Sequence, residues 1–111
     1  MSAVDVVQRQ LDTYNAQDLE AFLATYSPEC VIRDLNGAVT QNGHADIRAR
    51  YAAMFAQYPE NKARLINRMA LGDVVIDHED VVRGPNGPRL EAIAIYTVRD
   101  GLIRRVDFVR A

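Results

Sequence analysis

Apolar residues recur along the first half of the chain at helical spacing. Val4, Val7, Leu11 and Tyr14 are separated by three, four and three positions and form one stripe. Ser2, with Asp5 three residues later, has the pattern of a capping box, and the stripe predicts a helix that ends near Asn15. Asp18 is placed to cap a second, short helix with Leu19, Phe22, Leu23 and Tyr26 as its apolar positions, stopped by Ser27-Pro28. Residues 30–35 read as a short strand closed by the turn dipeptide Asn36-Gly37. A third helix is expected over about residues 43–58, with Ile47, Tyr51, Met54 or Phe55, and Tyr58 on one side and Pro59 beyond its end.

The period then changes. Residues 63–72, 74–83, 89–99 and 102–110 read as strands, separated by Gly72-Asp73, by Gly84-Pro85-Asn86-Gly87-Pro88 and by Asp100-Gly101. These breaks are short enough for antiparallel hairpins. Helix, helix, strand and helix followed by strands is an α+β order. A twisted sheet covered on one face by three helices can curl and leave a cavity beneath them. Both faces of the later strands carry apolar groups. Val75 and Val81 lie opposite Val74, Ile76 and Val82, and Ile93 and Ile95 lie opposite Ala92, Ala94 and Tyr96. A second subunit would cover the outer set, so a homodimer through the sheet is expected.

Composition narrows the classes. At 111 residues with 49% hydrophobic and 25% charged, the chain fits a single domain over 1–111 with a core of its own. The net charge of −2 has its positives and negatives interspersed, without the basic tract that nucleic-acid binding requires. No apolar run approaches the roughly 20 residues of a membrane span, and the first ten residues do not have the pattern of a signal peptide. One cysteine, Cys30, allows no internal disulfide, and a reduced, cytoplasmic setting with a buried thiol is the simplest fit. His44 and His78 are the only histidines, so no metal motif forms, and no phosphate loop or Gly-x-Ser-x-Gly element is present. No cofactor is expected.

Three pieces in order resemble the nuclear transport factor 2-like superfamily, which includes ketosteroid isomerases, polyketide cyclases and limonene-type epoxide hydrolases. They are Tyr14-Asn15-Ala16-Gln17-Asp18-Leu19 closing the first helix, Val31-Ile32-Arg33-Asp34 on the first strand, and Gly43-His44-Ala45-Asp46-Ile47-Arg48 opening the third helix. The resemblance implies a conical α+β barrel around a pocket for a small apolar molecule, and commonly a homodimer. It does not fix a function, because the fold hosts enzymes, binding proteins and adaptors.

The resemblance makes Asp34 the candidate general base, since it falls where ketosteroid isomerases carry theirs. Such a carboxylate must sit in an apolar pocket wall, where desolvation raises its proton affinity. Counting from the same motifs, the isomerases' oxyanion Tyr is replaced by Gln10 and their oxyanion Asp by Ala94. A site built that way lacks the strong donor pair with which ketosteroid isomerases stabilise their oxyanion. His78-Glu79 lies within a run of four polar residues in mid-strand, and one of the two is expected to face the interior. His78 there would serve as an acid, base or oxyanion donor. Tyr14, Tyr51, Phe55 and Tyr96 are expected to line the pocket, with Ala94 leaving room for a ligand. Arg105 and Asp107 share a strand face, and with Asp34 they resemble the water-activating set of limonene-type epoxide hydrolases. The expected activity is proton transfer on a small carbonyl compound, in an isomerisation or cyclisation. The alternatives are a non-catalytic binding or assembly module and a hydrolase.

Overall fold

Local chemistry sets the helices. The computed structural model describes residues 1–111. Ser2 accepts the Asp5 amide and Asp5 accepts the Ser2 amide, closing the capping box of α1 (Ala3–Ala16). Gln17, in the left-handed conformation, ends it. The buried stripe is Val6, Val7, Gln10, Leu11 and Tyr14, while Val4 lies at its margin and is exposed. Asp18 caps α2 (Leu19–Leu23) through the Ala21 amide, as expected. This helix is shorter than the apolar pattern suggests, because Tyr26, Ser27 and Pro28 belong to β1 (Tyr26–Asp34). Pro28 falls in a gap of the ladder between β1 and its neighbour, where its missing N–H costs no hydrogen bond. A strand unforeseen in the sequence, β2 (Val39–Asn42), returns from the Asn36-Gly37 turn. It is short, polar and at a sheet edge, so it carries almost no apolar signal. Helix α3 (Gly43–Gln57) follows and is tied down by His44, whose ring nitrogen meets the Tyr26 carbonyl at 2.8 Å.

Strands β3 (Lys62–Leu71), β4 (Val74–Val82), β5 (Arg89–Arg99) and β6 (Leu102–Arg110) complete one sheet in the order β2-β1-β6-β5-β4-β3. All pairs are antiparallel except β1 with β6, which is parallel, so the curved sheet is mixed and remains open. Register shifts at Leu65/Asn67 and Thr97/Val98 add twist, and the sheet curls over the three helices. The fold class read from the sequence, α+β with a curved sheet wrapped by three helices, is the one observed.

The core has an aromatic centre. Phe22, fully buried, lies 4.7 Å from Tyr51, 5.1 Å from Tyr26, 5.9 Å from Tyr14 and 6.0 Å from Phe55. These tilted and edge-on contacts join α1, α2, α3 and β1 into one wall. That wall does not fill the concavity of the sheet, and an internal space remains. On the convex face Met69, Leu71 and Val109 stay exposed. No helix is long and apolar enough to cross a membrane.

Candidate active site

Between the aromatic wall and the concave side of β4 and β5 lies a cavity of about 70 Å³. Its buried end is lined by Gln10 and Tyr14 of α1, Tyr51 of α3, Glu79 of β4, and Ala92 and Tyr96 of β5. Its half-buried and exposed lining residues form the mouth: Arg50 and Met54 of α3, Arg83 just after β4, Leu90 of β5, and Phe108 and Arg110 of β6.

Glu79 is the one carboxylate on the cavity wall. Its side chain makes no hydrogen bond within the protein, and burial raises its pKa to about 7. The negative charge of Asp77, two residues away on the same strand face, adds to the rise, and Arg68 opposes it. Asp77 is fully buried and is held by both arms of Arg68, at 2.7 and 2.9 Å. Arg68 also donates to Gln8 Oε1 at 2.8 Å. A buried carboxyl near neutrality, open to a cavity, has the poise that general base catalysis uses.

The neutral donors are arranged around it. Tyr14 Oη accepts from Asn61 Nδ2 at 2.8 Å and from Arg83 Nη1 at 3.5 Å, which leaves its own hydrogen free to point at a ligand. Asn61, fully buried, is itself oriented by Arg83 Nη1 at 3.0 Å. Burial raises the Tyr14 hydroxyl above its ordinary range and pushes Tyr51 up to about 12, so both stay protonated donors at neutral pH. Tyr96 donates to Gln10 Oε1 at 3.3 Å and Gln10 Nε2 donates to Tyr26 at 3.1 Å, a relay that fixes the Gln10 amide at the wall.

The residues singled out from sequence divide sharply. Gln10, Tyr14, Tyr51 and Tyr96 line the cavity. Phe55 and Ala94 are buried in the core behind it and do not line it. Asp34 does not reach the cavity wall. It ends β1 with about half of its side chain exposed, accepts Arg110 Nη1 at 2.7 Å, and supports the turn through its backbone bonds to Ala38 and Gly37. The expectation that it is buried in apolar surroundings is corrected accordingly: the strand emerges from the core before Asp34. His78 is corrected as well. It lies on the convex side of β4, paired with Glu91, and the interior position in that polar run belongs to Glu79. Asp107 alternates with the cavity-facing Phe108 and so turns to the convex face, between Arg33 and Arg105. Asp34, Arg105 and Asp107 therefore do not gather around a water site in the cavity. Sequence reasoning left the choice between His78 and Glu79 open, and it missed the neighbour pair Asp77 and Arg68 and the arginines of the mouth.

Residues 7–106 match the SnoaL-like domain family. The chain belongs to it. A cystatin-fold protein of uncharacterised function from Novosphingobium aromaticivorans is 28% identical with a TM-score of 0.91, each chain covering 99% of the other. A candidate polyketide cyclase from Sinorhizobium meliloti is 23% identical, with a TM-score of 0.79 over 98% of this chain and 100% of its own. A candidate ketosteroid isomerase from Kribbella flavida is 20% identical, with a TM-score of 0.81 over 98% of this chain and 77% of its own. Among curated proteins none matches the sequence. The two lower likenesses show a shared fold. A nuclear transport factor 2-like protein of unknown function from Cytophaga hutchinsonii, 15% identical with a TM-score of 0.82 over 100% of this chain and 91% of its own, has the same fold.

Proposed function

We propose that this SnoaL-like protein is an acid–base enzyme of the isomerase or cyclase type, with Glu79 as its base. The observation that carries this reading is a single buried carboxyl, raised toward neutrality, on the wall of a cavity that also holds tyrosine donors. A carbonyl compound enters with its body against Met54, Leu90 and Phe108. Glu79 removes a proton from the carbon beside the carbonyl, and the electron pair of that C–H bond moves onto the oxygen as an enolate. The free hydrogen of Tyr14, oriented by Asn61 and Arg83, stabilises the developing oxyanion. In an unsaturated ketone, protonated Glu79 then returns the proton to the far carbon of the dienolate, which gives isomerisation. Alternatively the enolate carbon attacks a second carbonyl of the same molecule, closing a ring, and the resulting alkoxide takes the proton back from Glu79. The names of the cyclase and isomerase neighbours support this chemistry as an analogy of fold only.

The test is a pH–rate profile for hydrogen–deuterium exchange beside the carbonyl of small aryl ketones and enones. Only ionised Glu79 can accept the proton, so kcat/KM should rise with pH and level off, with its midpoint near 7. A profile flat between pH 5 and 8, or no catalysed exchange in the whole panel, contradicts the reading.

A further inference from the structure

The charge around the cavity is unlike that of the protein as a whole. The chain carries a net −2, yet the charged residues of the cavity are three arginines, Arg50, Arg83 and Arg110, against Glu79 alone. Two of the three have no carboxylate partner. Arg50 donates to the neutral Gln41 at 3.0 Å and lies 5.4 Å from the Tyr51 ring centre. Arg83 meets only Asn61, Tyr14 and the face of Tyr58. Arg110 is paired with Asp34, and it also lies over Phe108 at 4.6 Å. Aromatic stacking and neutral acceptors fix where these guanidinium groups sit without cancelling their charge.

The cavity is too small to enclose a whole substrate. Its 70 Å³ is about half of the engineered cavity volume that takes up benzene. A ligand that reaches Glu79 must therefore extend out through the mouth, past the arginines. A phosphate ion alone would leave the apolar part of that mouth, Met54, Leu90 and Phe108, unused.

We propose that the substrate is an organic carboxylate, a keto acid whose carbonyl end enters the cavity and whose carboxylate is held at the mouth by Arg50 and Arg83. The proposal rests on the acid–base reading for the role of the buried end, and it assigns the outer end independently. Planar guanidinium groups offer paired donors that match a carboxylate, and their partly desolvated position strengthens the attraction. The anion also sets the register of the ligand, because Glu79 repels a carboxylate and excludes the reversed orientation. Asp34 acquires a positioning part in this arrangement: it holds Arg110 at the rim and limits the excess of positive charge.

The experiment uses 6-oxoheptanoate and its carboxamide, which share a methyl ketone small enough for the cavity and an aliphatic body for the mouth, and differ in charge. Affinities measured calorimetrically at low salt should favour the acid by at least about tenfold, or roughly 1.4 kcal/mol. Raising the ionic strength to about 0.5 M should reduce the preference, since the mouth is open to screening. The Arg50→Gln/Arg83→Gln double variant, shown by circular dichroism and melting to be folded, should bind both compounds alike. An acid that binds no more tightly than the amide, or a preference unchanged in the folded double variant, overturns the proposal. Failure of both compounds to bind at millimolar concentration also overturns it. Deuterium exchange beside the ketone, followed by NMR in the same samples, separates the two claims. Exchange without a preference for the acid sinks the carboxylate site and leaves the acid–base reading standing. A preference for the acid without exchange supports the carboxylate site and counts against Glu79 as base.

Discussion

Glu79→Gln should leave a protein that is more stable at pH 8 and catalytically silent. The stability change follows from the sign of the shift. The folded state raises the Glu79 pKa to about 7 from an ordinary value near 4.5, so folding favours the protonated form. No penalty exists below the unfolded value. It grows as pH climbs from about 4.5 to 7, where the unfolded chain has released the proton and the folded chain still holds it, and it is complete above 7. The full difference is on the order of 3 kcal/mol, and little solvent reaches the group, which is 7% exposed. Glutamine cannot ionise, so the variant escapes this cost, although its amide must find partners in the cavity. A net gain of roughly 1–3 kcal/mol at pH 8 is expected, seen as a melting temperature higher by at least about 4 °C. At pH 4.5 the two proteins should melt together. Loss of the base should lower carbon-bound proton exchange by about 10²–10⁴-fold. Coincident melting of variant and parent at pH 8, or exchange within a factor of ten of the parent, would set Glu79 aside.

The second large effect concerns the pair behind Glu79. Asp77→Ala removes a fully buried carboxylate that both arms of Arg68 engage, and leaves Arg68, itself 15% exposed, with Gln8 as its remaining side-chain partner. An orphaned charge in that position typically costs about 3–5 kcal/mol. Replacing both residues by apolar ones of similar size, Asp77→Leu with Arg68→Met, should recover most of the loss, because the pair's attraction largely offsets its own desolvation. Urea unfolding of the two variants measures this directly. A loss below about 1 kcal/mol for Asp77→Ala would show that Arg68 finds water or another partner. The pair also bears on the site. Asp77 raises the proton affinity of Glu79 and Arg68 lowers it, so the ion pair sets how strongly the base is poised.

Much of this was legible in the chain. The helices announced themselves through caps and apolar spacing, and β3 to β6 through their turns. What failed failed for local reasons. Tyr26 continues the apolar spacing of α2, but the helix ends three residues earlier and its ring packs on Phe22 from β1. Asp34 sat at the right place in a motif, yet a residue at the last position of an emerging strand meets water before it meets the pocket. The choice between His78 and Glu79 had a signal that went unused. The β4–β5 hairpin folds symmetrically about Pro85 and Asn86, which pairs Glu79 with Ala92 and Asp77 with Ala94. Residues directly opposite in an antiparallel pair share a face. Once Ala92, Ala94 and Tyr96 are turned inward, Glu79 and Asp77 must follow and His78 must turn out. The arginines of the mouth carried no such signal. Arg50, Arg83 and Arg110 come from three separate elements, and only the curl of the sheet brings them to one opening.

The central claim is that one carboxyl in the cavity holds its proton near neutral pH. Carbon-13 NMR of glutamate-labelled protein, with the Glu79 carboxyl assigned by its loss in Glu79→Gln, follows that proton directly between pH 3 and 9. The account predicts a midpoint near 7. A Glu79 midpoint at the ordinary glutamate value of about 4.3 would contradict it.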